Sequence, residues 1–479
     1  MFLITSGVFV FLGVIWIMFK IATVFSYWKN KNVYTGKPQF PFGNSKNVVL
    51  QKLPLGFDVT ELYTEIRSRS EKYGGYYNFM TPVFVPTDLD LIKTILISNS
   101  DSFINRVSAN LLHSRGDQWK RMRLKIAPFF TNLKIKQFLP VMLRKTDELI
   151  RLMEDTPNPL NVKEVLDRYT IDLIGLYTSS VDLETMKNKD SELERQLGNF
   201  FNKSIVDTLF RFLITIPKVV RYLKIMTFNK EVTKFFMLLL DDIVHARNRS
   251  KLETTVVLDV LTQKTFNGGE YFTRSEIVGN LATLLLAGYE TTSNALTFGL
   301  YELAYNMELQ EKLRIETSTL ETSLEPFSLL DKFLIDAQFS ETLRKYPLTT
   351  INTRECTETF RIPNSNIILG KGSQIYIPLR GIHWDPEYYP NPERFDPERF
   401  SEENSRGRHP CASLPFGAGP RRCIGDKLGM MNMKITIASL LKSYRFRLHP
   451  KTRSPLDYDA KAFLLQPKDG VFLNVEKIR

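Results

Sequence analysis

A glycine-rich loop at residues 416–425 constrains this chain strongly, because it holds one cysteine directly ahead of an apolar helical pattern. Its glycines and proline exclude a regular helix and allow the backbone to approach another group closely. Apolar residues recur at helical spacing after Gly425, so Cys423 is predicted to lie just before the start of a helix. The free amides and the helix dipole there favour a negatively charged sulfur, and two neighbouring arginines add positive charge.

A single thiolate at that position limits which metal it could bind. A structural zinc site needs four ligands, and neither the other two cysteines nor the five histidines lie at ligand spacing. Haem iron suits a lone thiolate, because the porphyrin supplies four further ligands. The competing interpretation is that Cys423 is a small buried hydrophobic residue in a glycine loop.

Charge and cysteine content narrow the environment of the protein. The formal net charge is +12 over 479 residues, which favours anionic partners such as a membrane surface or an acidic protein. The sequence carries no nucleic-acid-binding motif, so no nucleic-acid partner is expected. Three cysteines cannot form a disulfide framework and suit a reducing, cytosol-facing compartment, and Cys356 and Cys411 are interpreted as structural.

The N-terminal stretch is predicted to anchor the chain in a membrane. Residues 2–19 are eighteen residues without a charge, about the minimum for a membrane-spanning helix. Lysines follow a second apolar patch, and positive charge on that side places the rest of the chain in the cytoplasm. A cleaved signal peptide is the alternative, but the stretch lacks a small-x-small cleavage site. We expect an anchor at 1–28, a stiff basic and proline-rich hinge at 29–44, and one domain at 45–479.

Two residues form a candidate site for a carboxylate. Trp119 and Arg123 are four positions apart, so they are predicted to share one face of a helix. The indole N–H and the guanidinium are both hydrogen-bond donors, and arginine can bind a carboxylate through two nitrogens. A solvated basic helix surface is the alternative interpretation.

A long buried helix is predicted to begin after Thr273, because Thr273 and Glu276 form a capping box ahead of residues that are apolar nearly all round. Its middle contains Ala-Gly-Tyr-Glu-Thr-Thr at 287–292. Glu290 and Thr291 are candidate functional groups there, since an acid and a hydroxyl inside a buried helix cost free energy unless they are satisfied. Threonine hydroxyls can bond back to backbone carbonyls, and a satisfied polar cluster without a function is the alternative.

Two further patterns lie between this helix and the cysteine loop. Glu341 and Arg344 form an i, i+3 pair, which is weak evidence by itself because most such pairs are exposed. The letters Pro-Glu-Arg-Phe occur twice, at 392–395 and at 397–400. Two short strands at 367–369 and 374–377 are predicted to form a hairpin around a Gly-Lys-Gly turn.

Taken in chain order, these motifs resemble those of the cytochromes P-450. The cysteine loop matches the pattern Phe-x-x-Gly-x-Arg-x-Cys-x-Gly through Phe416, Gly419, Arg421, Cys423 and Gly425. Trp-x-x-x-Arg, Ala-Gly-x-acid-Thr, Glu-x-x-Arg and Pro-Glu-Arg-Phe precede it in the order found in the family, so the resemblance spans the whole chain. Detail at 385–390 and 409–416 is most similar to insect microsomal members, which are associated with hormone metabolism and with breakdown of insecticides and plant toxins.

The resemblance implies a mainly α fold with small β-sheets (α+β): a triangular helical domain with haem b between a long central helix and the helix after the cysteine loop. It assigns cofactor binding to Trp119, Arg123, Arg354, Phe416, Arg421 and Cys423, with Cys423 as the iron ligand and Trp119, Arg123 and Arg354 on the haem propionates. Glu290 and Thr291 would help to deliver protons to dioxygen. Arg399, rather than Arg394, would join Glu341 and Arg344 in a buried structural group behind the haem.

The function implied by the resemblance is that of a membrane-bound haem-thiolate monooxygenase. It would insert one atom of O2 into lipophilic substrates, such as insecticides or insect hormones and lipids. Its electrons would come from NADPH-cytochrome reductase, with cytochrome b5 as a further partner, at the endoplasmic reticulum membrane. A haem-thiolate isomerase or dehydratase, and a non-catalytic haem protein that binds a lipophilic ligand, are the alternatives.

One departure from the family pattern concerns the roof of the substrate pocket. Phe103 and Trp119 are only sixteen positions apart, whereas many relatives have a longer loop here. Either the substrate pocket is more open, or narrower in its substrate specificity, than in those relatives, or the sequence lacks a segment at this place. The segment from Leu209 to Phe228, rich in Phe, Leu, Ile and Lys, corresponds to the lid over this pocket, although an ordinary core helix pair would look much the same.

Overall fold

The computed structural model describes residues 21–106, 115–189, 191–201, 230–250, 257–262, 272–318 and 333–478. The uncharged N-terminal run, most of the shortened roof loop and the predicted lid at 209–228 therefore lie outside the described residues. Within the part of the chain that the structure describes, no helix combines the length and the apolar character needed to cross a bilayer.

Helices make up most of the described chain. In order they are α1 (Lys46–Val49), α2 (Phe57–Ser68), α3 (Leu89–Lys93), α4 (Gly116–Ile126), α5 (Asn132–Glu154), α6 (Val162–Ser179), α7 (Glu192–Phe201), α8 (Lys230–Ser250), α9 (Val257–Thr262), α10 (Arg274–Tyr305), α11 (Met307–Ser318), α12 (Phe333–Lys345), α13 (Leu379–His383), α14 (Glu402–Ser405) and α15 (Asp426–Ser443). The strands are β1 (Tyr73–Asn78), β2 (Thr81–Pro86), β3 (Leu160–Asn161), β4 (Asn352–Glu355), β5 (Phe360–Arg361), β6 (Ile368–Leu369), β7 (Gln374–Ile377), β8 (Tyr444–Leu448) and β9 (Phe472–Lys477).

The strands form three small sheets beside the helices. The first has the order β1-β2-β7-β4, in which β2 and β7 run parallel and the other neighbours run antiparallel. The second has the order β3-β9-β8, and the third is the antiparallel pair β5-β6. Many helices with small mixed sheets confirm the α+β class that the sequence predicts.

The predicted hairpin between the strands at 367–369 and 374–377 is wrong. Strands form at both places, but β6 pairs with β5, whereas β7 lies between β2 and β4. The physical reason is visible in the turn. Gly372 donates its N–H to the carbonyl of Cys356, and Cys356 donates its own N–H to Ser373, so this turn continues the β4 pairing and directs β7 away from β6.

Helix α10 is the centre of the domain, and its start confirms the predicted capping box. The Thr273 side chain accepts from the Glu276 N–H, while the Glu276 carboxylate accepts from the Thr273 N–H. From Asn280 to Ala304, every residue is buried except three, which are described with the candidate site below. Burial on nearly all sides requires neighbours all round, and α6, α8, α12 and α15 are among the helices that pack against it.

Gly288 allows α10 and α6 to approach closely. A Cβ built at Gly288 would lie 2.5 Å from Cγ1 of Ile174 on α6, a distance that packed side chains do not adopt. Glycine in a helix interior costs about 1 kcal/mol relative to alanine. The close packing of the two helices explains why it is tolerated here.

The residues around the predicted boundary between anchor and hinge pack against the first sheet. Trp28 is 1% exposed, and its indole Nε1 donates to the carbonyl of Tyr76 at 3.3 Å. Gly75 leaves room for this ring, because a Cβ there would lie 2.4 Å from the indole. Tyr34 accepts the N–H of Gly75 at 2.7 Å. The boundaries at 28 and 44 stay a prediction, but part of the chain that they enclose is docked on β1.

Candidate cofactor site

The cysteine loop has a backbone that requires glycine at two positions. Gly417 and Gly419 both have φ of +71°, in the left-handed region that other residues rarely adopt. A Cβ on Gly419 would lie 1.8 Å from the carbonyl oxygen of Leu96, so no side chain fits there. The turn closes when the N–H of Cys423 donates to the carbonyl of Phe416 at 2.9 Å. These contacts place the thiol immediately before α15, as the sequence predicts.

The thiol of Cys423 is exposed, yet it is surrounded by much of the domain. Desolvation by the surrounding protein is the largest influence on its pKa and raises it. There is therefore open space beside a sulfur that the domain otherwise encloses. The backbone N–H of Gly425 and the charges of Arg123 and Arg106 lower the pKa, whereas Asp426 raises it.

The N–H at the helix start and nearby arginines favour the anionic sulfur, as the sequence predicts, and the arginines acting on it include Arg123 and Arg106. The lowering contributions are present, but desolvation outweighs them. Arg422 also does not point at the sulfur, because its Nε pairs with Asp426 at 2.8 Å. A coordinated metal ion deprotonates a cysteine outright, so Cys423 fits a metal ligand better than a free reactive thiolate.

An arginine cluster lies beside this thiol. The guanidinium of Arg421 stacks over the ring of Trp119 at 3.9 Å from the ring centre, and its Nε donates to the carbonyl of Ile104 at 2.7 Å. Arg106 donates to the carbonyl of Arg421 at 3.0 Å. Arg354 on β4 is 2% exposed, and it donates to the side chain of the neighbouring Asn352 at 2.7 Å. Arg123 on α4 completes the group, since it acts electrostatically on both Arg421 and Cys423.

Burial and mutual repulsion make this cluster costly. Burial first, and nearby arginines as a further cause, lower the pKa of Arg421 to about 9 and that of Arg106 to about 10, although Cys423 acts on Arg106 in the opposite direction. Burial also lowers the pKa of Arg354 well below its usual value, with Arg106 and Arg421 acting in the same direction. Buried like charges call for an anion that accepts several hydrogen bonds. The two carboxylates of haem b have that chemistry, so the donor set fits this cofactor.

Four of the predicted propionate or loop residues thus come together around Cys423: Trp119, Arg123, Arg354 and Arg421. Phe416 is half-buried and contributes through its backbone carbonyl, which closes the loop. Sequence reasoning missed Arg106 as a member of the site. The sequence does carry a signal for it, because Arg106 is a lone arginine shortly after the apolar pair Phe103–Ile104.

Helix α10 positions the other two predicted residues. Ala287, Gly288 and Thr291 are the three partly exposed residues in its otherwise buried stretch. The Thr291 hydroxyl donates to the carbonyl of Ala287 at 2.6 Å, which confirms the predicted bonding back to the helix. Glu290 is 3% exposed, and its charge raises the pKa of Tyr289, second to burial. A buried acid therefore stands next to a hydroxyl residue that is one of the few partly exposed positions in this stretch of the helix.

A buried ion group supports the loop from behind, as predicted. Arg344 and Glu341 are 1% and 0% exposed, and two nitrogen–oxygen contacts of 2.6 and 2.8 Å join them. Arg399 brings its Nε to 3.5 Å from Glu341, which confirms it as the third member. Arg394 contributes its carbonyl instead, and the carbonyl of Pro392 accepts from Arg344 at 2.7 Å. Both copies of Pro-Glu-Arg-Phe are thus used, one through its backbone and one through its arginine.

The remaining cysteines behave as structural residues. Cys356 is 0% exposed and Cys411 is 1% exposed. Burial raises the pKa of Cys356 to about 12 and that of Cys411 to about 11. Neutral buried thiols are poor nucleophiles, so both confirm the structural interpretation.

Comparison with known proteins gives a consistent result. A family model described as "Cytochrome P450" matches residues 42–474. The chain is 31% identical over 496 aligned positions to "Probable cytochrome P450 6a13" of Drosophila melanogaster, covering 99% of each chain. It is 29% identical to "Cytochrome P450 6j1" of Blattella germanica, covering 95% of this chain and 94% of that one. It is also 30% identical to "Cytochrome P450 6B1" of Papilio polyxenes, covering 94% and 95%.

Proposed function

The chain belongs to the cytochrome P450 family of haem-thiolate monooxygenases, whose members use haem b with a cysteine thiolate ligand, and we propose that Cys423 supplies that thiolate here. The observation that carries the proposal is the position of the Cys423 thiol beside a cluster of buried arginines. Buried arginines that repel one another are costly, and a haem suits both groups, because its two carboxylates can accept from the arginines and its iron can bind the sulfur as a thiolate.

The proposed roles of the cluster follow from its donors. Arg354 and Arg421 are buried, and with Trp119 and Arg123 they would hold the two haem propionates through charge-assisted hydrogen bonds. Arg106 is proposed as a further donor to them. Phe416 would contact the cofactor from the loop that it closes. When bound, haem b supplies the activation of dioxygen and the insertion of one oxygen atom into the substrate.

We propose that Thr291 and Glu290 handle protons at the middle of α10. Because the Thr291 hydroxyl hydrogen is directed to the Ala287 carbonyl, its oxygen lone pairs are available to accept a hydrogen bond from a neighbouring group. Glu290 directly precedes Thr291 and is buried, and its carboxyl group, when protonated, can supply a proton. The pair would control proton delivery, and the apolar residues of α10 would limit entry of water.

The redox partners and the cellular location of the protein are also part of the proposal. Family membership implies a redox partner, a substrate and dioxygen in general. We propose NADPH-cytochrome reductase as the electron donor, with cytochrome b5 as a further one, because a net charge of +12 favours acidic partners. Similarity to insect relatives supports association with the endoplasmic reticulum. An anchor at 1–28, a hinge at 29–44 and a cytoplasmic domain at 45–479 remain part of the proposal, as do lipophilic substrates such as insecticides or insect hormones.

The difference spectrum of reduced, carbon-monoxide-bound microsomes that contain the full chain tests the central assignment. We expect the red-shifted Soret band of thiolate ligation in the wild type. Cys423→Ser should lose that band, whereas Cys411→Ser, a matched change at a buried cysteine of the preceding segment, should keep it. A red-shifted band that survives in Cys423→Ser would refute the assignment of the ligand.

Turnover separates the monooxygenase from the non-catalytic alternative. With added reductase, NADPH-dependent product should form from at least one member of a panel of lipophilic compounds. Rearrangement or dehydration of an organic hydroperoxide without reductase, together with no NADPH-dependent product, would instead support the isomerase or dehydratase alternative. A correct thiolate spectrum without any turnover would support a binding protein.

A further inference from the structure

A buried histidine connects the ion group of Glu341 and Arg344 to the cysteine loop. His383 ends α13 and is 0% exposed. Its backbone carbonyl accepts from Nη1 of Arg344 at 3.0 Å. Its imidazole Nε2 accepts the N–H of Leu414 at 2.9 Å. His383 therefore accepts a hydrogen bond from the buried Arg344 through its backbone carbonyl and another from the cysteine-loop segment through its ring.

The peptide held by His383 is continuous with the turn that carries the thiol. The carbonyl of Leu414 accepts the N–H of Gly417 at 3.0 Å, and the carbonyl of Phe416 accepts the N–H of Cys423 at 2.9 Å. Leu414 is 3% exposed, so its N–H has no access to bulk water as a substitute partner. Losing its acceptor would leave a buried donor unsatisfied at the start of this turn.

The ring is in the protonation state that this contact needs. Because Nε2 accepts, its lone pair is free and the imidazole proton must be on Nδ1. Burial, with the neighbouring charge of Arg344 as a second cause, lowers the pKa of His383 to about 3. Burial therefore favours the neutral imidazole, the form in which Nε2 can accept.

We infer that His383 is a positioning residue for the metal ligand: its Nε2 fixes the Leu414 peptide and thereby the turn that presents Cys423. It does not touch the reacting atoms. The inference rests on the proposed role of Cys423, but the hydrogen-bonded connection itself lies within the protein chain. It predicts that the nitrogen acceptor, rather than the bulk of the ring, is what the loop requires.

Two amide substitutions separate these possibilities. His383→Gln places its amide oxygen where Nε2 lies, so it can still accept from Leu414. His383→Asn reaches only as far as Nδ1 and leaves the Leu414 N–H without an acceptor. His409→Leu is the matched control, because His409 also accepts a backbone N–H, that of Cys411 at 3.1 Å, but it is 26% exposed and lies outside the connection to Cys423.

The first readout is the rate at which the reduced, carbon-monoxide-bound protein converts from the red-shifted thiolate band to the band of a neutral ligand. We expect conversion about tenfold faster in His383→Asn, the effect of about 1.4 kcal/mol at an unsatisfied buried donor. His383→Gln should stay within about twofold of the wild type because it keeps the acceptor. His409→Leu should also stay within about twofold, because the Cys411 N–H that loses its acceptor is not part of the hydrogen bonds that link His383 to the turn of Cys423. Equal rates in the Asn and Gln variants, or a wild-type rate in His383→Asn, would overturn the inference.

Hydrogen–deuterium exchange of the full-length protein as isolated gives a second readout that does not use the spectrum of the cofactor. The amide of Leu414 should be protected in the wild type and in His383→Gln, and about tenfold less protected in His383→Asn, since its acceptor is lost. An unprotected Leu414 amide in the wild type would refute the inference even if His383→Asn failed to accumulate. If the wild type gave no thiolate band but this protection were present, the proposed function would fail while the positioning role of His383 would stand.

Discussion

Replacing Asp58 with asparagine is expected to make the stability of the protein less dependent on pH between 5 and 7.5. Asp58 lies in the first turn of α2 and is 8% exposed. Its carboxylate accepts from the Tyr76 hydroxyl at 2.5 Å and from the Val59 N–H at 2.8 Å. Burial nevertheless dominates and raises the pKa to about 6, because these two hydrogen bonds lower it by less than desolvation raises it.

The magnitude follows from the two pKa values of this carboxyl group. An unfolded aspartate has a pKa of about 3.9, so the folded state binds the proton more tightly by about 2 pKa units. The resulting stabilisation is about 3 kcal/mol below pH 4 and is lost as the pH rises through 6. Between pH 5 and pH 7.5 the loss is about 1.4 kcal/mol, whereas an asparagine does not titrate.

Calorimetry at the two pH values measures this difference. For a chain of this length, about 1.4 kcal/mol corresponds to about 1.5 °C in Tm. We expect the Tm of Asp58→Asn, relative to the wild type, to rise by about that amount from pH 5 to pH 7.5. Asp469→Asn, a change at an exposed aspartate, should show no such rise. A relative Tm for Asp58→Asn that is the same at both pH values, or lower at pH 7.5, would refute the reasoning.

Three further substitutions test the candidate site. Gly419→Ala should reduce haem content at least about tenfold, since its Cβ would collide with a backbone carbonyl, whereas Gly407→Ala, also at positive φ but with open space around it, should lose far less. Arg354→Gln should release haem about 10–100-fold faster in transfer to apomyoglobin, because it removes a charge-assisted hydrogen bond, and a wild-type rate would exclude it as a propionate ligand. Thr291→Ala should keep its haem but release severalfold more peroxide per NADPH oxidised, which corresponds to about 1 kcal/mol in the partitioning between peroxide and oxygenated product. Thr292→Ala is the control and should not show this increase. An unchanged ratio of product to NADPH in Thr291→Ala would exclude Thr291 from the proton path.

Elements specified by local signals could be predicted from the sequence. The capping box at Thr273 depends on residues three apart, and the helix after Gly425 depends on its own apolar spacing. Trp119 and Arg123 share a helix face for the same reason. In each case the residues that determine the structure are neighbours in the chain, so a short stretch contains the needed information.

Features decided by distant residues could not be predicted from those signals. The partners of β7 are β2 and β4, and no local pattern around 374–377 reports that β2 lies nearly three hundred residues earlier. The raised pKa of Cys423 depends on how completely the assembled domain withdraws water from the sulfur. Arg106 enters the site because its segment reaches the Arg421 carbonyl, a contact between residues far apart in the sequence.

The docking of Trp28 on β1 would limit how far the domain can move from the proposed N-terminal anchor. Sixteen residues from Lys29 to Asn44, if free and extended, would reach about 55 Å. Because Trp28 is packed against the sheet, residues 29–44 cannot act as a free linker between a membrane anchor and the domain. If residues 2–19 span a bilayer as we propose, the domain must stay against the lipid surface with a restricted range of tilt. A redox partner would then have to approach by diffusion in the plane of the membrane. Whether the two proteins can meet would depend on the height above the membrane at which the partner holds its electron-donating domain.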